Sequence, residues 1–273
     1  MKLTTVTALE VRKVVAQRAF VWTSVVLFAA TKGLAWLEVS AIDPERALDG
    51  ITLNGFYLTA RSAGPGLALF AVLLSVLTAQ SIAGEAERGQ LRMLLPRPVN
   101  RSSIYLGKLG ALLVVAVLAA GLDAVLSVLI GAATLGFSDV ADVTLEGEQF
   151  GAARLSVDLA LAYAKTALGV FGTASVALLM SALARQATTA ITTTLLALAG
   201  SAGLAFVLGD PLARALFTTW DVRSFATLES LTAGTATYRD AADATLAWVV
   251  PLVTAAVTTV GGLAVFTRRD VTS

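Results

Sequence analysis

Apolar residues run through this chain in long blocks, without the alternating spacing of a half-buried strand or the one-sided stripe of a soluble helix. The first block, Phe20 to Leu37, rises about 27 Å as a helix, enough to cross hydrocarbon, and carries one charge, Lys32. The second, Ala63 to Ile82, opens on Gly64-Pro65-Gly66, where proline suits a helix's first turn. The third, Leu109 to Leu135, is long enough to span with tilt and is interrupted only by Asp123. The fourth, Leu159 to Leu183, carries Lys165; three residues, Ala184-Arg185-Gln186, separate it from the fifth, Ala187 to Leu208, and so short a link forces an antiparallel hairpin. The sixth is Leu246 to Phe266. The pattern predicts an all-α polytopic membrane protein. It has one transmembrane domain over residues 1–273, a charged segment at 83–101 and outer segments at 136–158 and 209–243.

Ahead of the first block, Val6, Leu9, Val11, Val14 and Val15 are interleaved with Glu10, Arg12, Lys13 and Arg18 between Leu3 and Arg18. That mixture predicts a basic amphipathic helix on the membrane surface. Val39-Ser40-Ala41 offers a small-x-small cleavage site, but the first block is long for a signal peptide and further spans follow.

Composition narrows the chemistry. Hydrophobic residues make up 56% of the chain and charged residues only 14%, where an ordinary soluble domain carries about a quarter charged. Cysteine and histidine are both absent, which removes disulfides, thiolate and imidazole metal sites and any Ser-His-Asp triad. Serine and threonine abound without a base to activate them. A formal net charge of +1 gives no reason to expect nucleic acid as a partner.

The distribution of charge is more informative than its sum. The N-terminus, the links after the second and fourth blocks and the C-terminus hold twelve basic residues against four acidic ones; the alternate segments hold six against fourteen. Lysine and arginine near span ends stay on the cytoplasmic side, so both termini are expected in the cytoplasm of a multi-pass cell-membrane protein.

The link after the second block reads as a short cytoplasmic element with two faces. Leu91, Leu94 and Leu95 make an apolar stripe at i, i+3 and i+4, Arg88 and Arg92 form a basic row beside it, and Pro96 and Pro98 end the helix. Such a stripe suits either an interfacial helix resting on headgroups or a docking element for a cytoplasmic protein.

Gly84, Glu85, Gly89, Leu91, Leu94, Leu95, Pro98, Val99, Arg101, Ile104, Gly107 and Lys108 stand at the spacing G-E-x-x-x-G-T-L-x-x-L-L-x-x-P-V-x-R, followed by an apolar residue and G-K. In this the sequence resembles the permease subunits of ABC-2 type exporters, including those similar to the copper-related NosY permeases. The basic lead-in and the closing Phe266-Thr267-Arg268-Arg269-Asp270 are similar too, whereas Gln90 and Arg92 stand where threonine and an acidic residue are usual. The resemblance implies a type V exporter-like fold and a coupling helix that sits in a cleft of a separate ABC ATPase. Glu85, Glu87, Arg88, Gly89, Leu91, Leu94, Leu95, Pro98 and Arg101 would form the coupling element. It also implies pairing with a second permease, identical or related. No G-x-x-x-x-G-K-[ST] occurs, so ATP and Mg would be bound by the partner ATPase and no cofactor by this chain. The alternatives are a non-conducting anchor or mechanotransmitting subunit, and an independent secondary transporter.

Three charges lie inside the apolar blocks. Asp123 and Lys165 are expected to pair across neighbouring helices, either as a structural lock or as the lining of a polar path, while Lys32, near the outer end of its block, is expected to snorkel outward. Lys108 is expected to anchor its span at the headgroups. Between the fifth and sixth blocks, Leu212, Leu216, Phe217, Trp220 and Phe225 among Asp210, Arg214, Asp221 and Arg223 fit amphipathic helices with aromatics at headgroup level. In the resembling exporters this region partly re-enters and closes the pathway.

Overall fold

The computed structural model describes residues 3–41, 53–89, 100–141, 149–232 and 241–268, and they are overwhelmingly helical. In chain order the helices are α1 (Leu3–Val15), α2 (Arg18–Ser40), α3 (Gly55–Glu87), α4 (Arg101–Thr134), α5 (Ala152–Leu183), α6 (Ala187–Leu208), a single turn α7 (Asp210–Ala213), α8 (Trp220–Thr232) and α9 (Ala241–Arg268). Two residue pairs, Val140–Ala141 and Gln149–Phe150, bridge antiparallel between α4 and α5. Helices α2, α3, α4, α5, α6 and α9 are each long and apolar enough to cross a membrane.

Several helices run past their apolar blocks, because lipid length does not limit a helix whose ends are capped and packed. Helix α3 starts at Gly55, where the Asn54 side chain accepts the Tyr57 amide at 2.9 Å, and not at Gly64. Pro65 therefore lies inside the helix and not in its first turn, and leaves the i−4 carbonyl without its ladder partner. Asn100 caps α4 in the same way, accepting from the Ser102 amide at 3.3 Å. Gly89 takes a φ of 69°, the left-handed conformation that ends a helix, immediately after α3.

Helices α3 and α5 form the centre, with α2, α4, α6, α8 and α9 arranged around them. The reason for α5's position is its run of small residues. A Cβ on Gly169 would meet the Trp220 backbone of α8 at 3.0 Å, and one on Gly172 would meet Pro251 of α9 at 3.2 Å. Gly and Ala let these backbones approach closely, and the Ser175 and Thr258 hydroxyls, 2.8 Å apart, add a hydrogen bond between α5 and α9.

The region before α9 departs from the expected surface arrangement. Helix α8 turns back into the bundle against α3 and α5, and Trp220 and Phe225, expected at headgroup level, are buried. Trp220 Nε1 donates to the Arg214 carbonyl at 3.0 Å, which satisfies the indole where water is excluded. Asp221 is buried beside it, accepting from the Thr173 hydroxyl of α5 at 3.0 Å.

Candidate coupling face and intramembrane charge network

One end of the bundle gathers the basic N-terminal helix, the end of α3, the start of α4, the link between α5 and α6, and the last turn of α9. Helix α1 lies directly on α4 there. A Cβ on Gly107 would overlap Val6, so this position needs glycine for α1 to seat, and one on Gly110 would crowd the Thr7 side chain, 3.0 Å from its hydroxyl.

That seating closes a four-charge ring. Lys108 Nζ lies 3.1 Å from Glu10 Oε2 and 3.0 Å from Glu85 Oε1, and Lys13 Nζ lies 2.7 Å from Glu10 Oε1 and 3.2 Å from Glu85 Oε1. Two carboxylates and two ammonium groups balance, which is the condition under which charges tolerate removal from water. Burial alone would raise the Glu10 carboxyl, but Lys108 and Lys13 outweigh it and hold it below its ordinary value. Burial likewise works against Lys13, and Glu10 with Glu85 outweigh it, raising its pKa. Lys108, expected at the headgroups, is instead only 4% exposed. Its place in the motif follows from Glu85: the two close the gap between the end of α3 and the start of α4.

The other motif residues divide. Glu87 Oε2 accepts the amide of Ala187, the first residue of α6, at 3.0 Å. Arg88 Nε donates to the Gly84 carbonyl at 3.0 Å, and Gly89 terminates the helix. Arg101 opens α4 and donates to the Thr267 carbonyl of α9 at 3.4 Å. Leu91, Leu94, Leu95 and Pro98 lie outside the described residues.

Deeper in the bundle, Asp123 does not pair with Lys165. Lys32 of α2 reaches it, Nζ to Oδ1, at 2.6 Å; the side chains are 2% and 0% exposed, so Lys32 points inward and does not snorkel. The Tyr163 hydroxyl of α5 donates to Asp123 Oδ2 at 2.9 Å and lies 3.0 Å from the Ser127 hydroxyl. Two residues along a helix turn about 200°, so Lys165 faces away from the side on which Tyr163 meets Asp123. Lys165 is half-buried and forms no ion pair among the described residues. The signal missed in the sequence was Tyr163, a donor on the face of α5 that packs against α4.

At the opposite end, Arg61 of α3 joins α2 and α8, with Nε 2.9 Å from Glu38 Oε2 and Nη1 3.2 Å from Glu229 Oε1. These groups are substantially exposed, so the triad orients α8 more than it stabilises the fold. No group of metal-ligating side chains forms among the described residues.

The family model described as ABC-2 family transporter protein matches residues 8–201, from α1 well into α6, and so includes both the charge ring and the Lys32–Asp123 network. Among curated proteins, none matches the chain.

Proposed function

Because this chain belongs to the ABC-2 transporter family, we propose that it is the permease subunit of an ABC-2 exporter, of the NosY-like kind that its motif spacing resembles. Two permeases pair to form the path, and separate ATPase subunits, binding ATP and Mg, drive it. Residues 83–101 dock into an ATPase cleft on the cytoplasmic side, where both termini also lie.

The observation that carries this reading is the Glu85–Lys108 contact inside the four-charge ring. It ties together the two helices that flank the segment, and it braces them against α1. A surface helix resting on headgroups has no need of such a brace, whereas a segment that receives force from a soluble partner does. The stripe of Leu91, Leu94 and Leu95 then provides the apolar contact.

Replacing Leu94 and Leu95 together with Asp places unpaired charge at that contact and opposes docking, at a cost of several kcal/mol. The variant is expected to insert and fold normally yet to lose its co-purifying ATPase. A well-folded variant that keeps the ATPase and its normal hydrolysis would overturn the assignment.

A further inference from the structure

Glu85 and Glu87 leave the last turn of α3 on opposite sides. Glu85 turns toward α1 and α4, and Glu87 toward the elbow between α5 and α6. A second fastening, one turn earlier, joins α3 to the last turn of α5 just ahead of this elbow. Ser181, in the last turn of α5, is fully buried; its hydroxyl donates to the Ala79 carbonyl at 2.6 Å and accepts from the amides of Ile82 at 3.0 Å and Ala83 at 3.1 Å. The Ala79 carbonyl and the Ala83 amide are the two ends of one i to i−4 link, so the hydroxyl sits across a turn of α3. A side chain placed there loosens the ladder and favours a bend. Between the two fastenings, Ala79 and Ala83 pack on Ala184 and Ala190, with the half-buried Ile191 against the same cluster.

Gln186, at the N-cap of α6, makes no side-chain cap bond, which leaves the Glu87 carboxylate to meet the first-turn amide. Helix α6 is also the least enclosed of the spanning helices.

We propose that the last two turns of α3 and the end of α5 with its elbow, residues 181–187, move as one body that pivots at Ala79–Ala83. Ser181 and Glu87 are its positioning residues, and they carry displacement of segment 83–101 to α6. The transmission rests on the docking role given to that segment above; the single body does not.

Amide hydrogen exchange on the full-length permease in detergent tests the body itself. Glu87→Ala is expected to speed exchange in residues 187–190 roughly fivefold, the size of a lost helix cap, while Glu87→Gln, which keeps an acceptor oxygen, restores protection. Ser181→Ala is expected to speed exchange in 79–87 and in 187–190 together. Faster exchange in 79–87 with 187–190 unchanged would show two independent elements and overturn the proposal. Transmission is read in the complex with the co-purified ATPase, using spin labels on cysteines at Leu69 and Gly203 of this cysteine-free chain. Nucleotide-dependent change in their separation should be lost in Ser181→Ala, which leaves segment 83–101 unaltered, while the ATPase stays bound. Wild-type amplitude in that variant would overturn transmission, whereas an unaltered chain that binds no ATPase would count against the proposed function and leave the exchange result to decide the body.

Discussion

Lys32 on α2 and Asp123 on α4 meet at 2.6 Å with both side chains sealed from solvent, and Tyr163 on α5 completes the contact from the far side. Three spans that are distant in sequence are thereby tied at one point. The charge on each residue is tolerable only because of the other.

Removing one partner should therefore cost far more than removing both. Lys32→Gln or Asp123→Asn alone is expected to destabilise the bundle by about 3–5 kcal/mol, because each leaves a buried charge without its counterion. The double variant should recover about 2 kcal/mol or more relative to the sum of the singles. Thermal unfolding in detergent and folded yield measure this. Lys165→Gln serves as the contrast and should leave both readings near wild type; strict additivity at 32 and 123, or a large loss at 165, would refute the pairing.

The seating of α1 should depend on pH at both extremes. The Glu10 carboxyl has its folded pKa lowered, so its contribution is present above the ordinary carboxylate range and is lost as pH falls through the folded value. The Lys13 ammonium has its folded pKa raised, so its contribution is present below the ordinary lysine value and is lost as pH rises through the folded one. A spin label at exposed Leu9 is expected to be immobile from about pH 5 to pH 10 and to gain mobility outside that window. Glu10→Gln should abolish the acid-side transition. Mobility that does not vary with pH would mean that apolar packing at Gly107 and Gly110 seats α1 without the ring.

Orientation can be read with cysteines introduced one at a time, since the chain has none of its own. Arg185 and Ser138 are both exposed and lie at opposite ends of the bundle. In intact cells an impermeant thiol reagent should label cysteine at position 138 and spare cysteine at 185 until the membrane is opened, as the charge asymmetry requires. The reverse pattern would place segment 83–101 outside the cell and exclude the proposed docking.

The sequence alone determined the number of spans, the all-helical class and the family motif. An uninterrupted apolar block of about twenty residues has one low-energy solution in lipid, a helix that satisfies its own backbone. It also placed Glu85 and Lys108 in one motif, though not in contact. Which face of each helix meets which neighbour was set by packing in three dimensions. Asp123 needed a cation, and both Lys32 and Lys165 were available at the sequence level; small residues on α5 set how closely α8 and α9 approach it, and the helical rotation that turns Tyr163 toward α4 turns Lys165 away. Helix α8 followed the same rule. Its aromatics suited a headgroup layer by composition, but Gly169 leaves room for the backbone at Trp220 beside α5, and the helix is buried there instead. In a bundle whose helices are all apolar, hydrophobicity selects no partner, so close packing of small side chains and a few buried polar contacts select it.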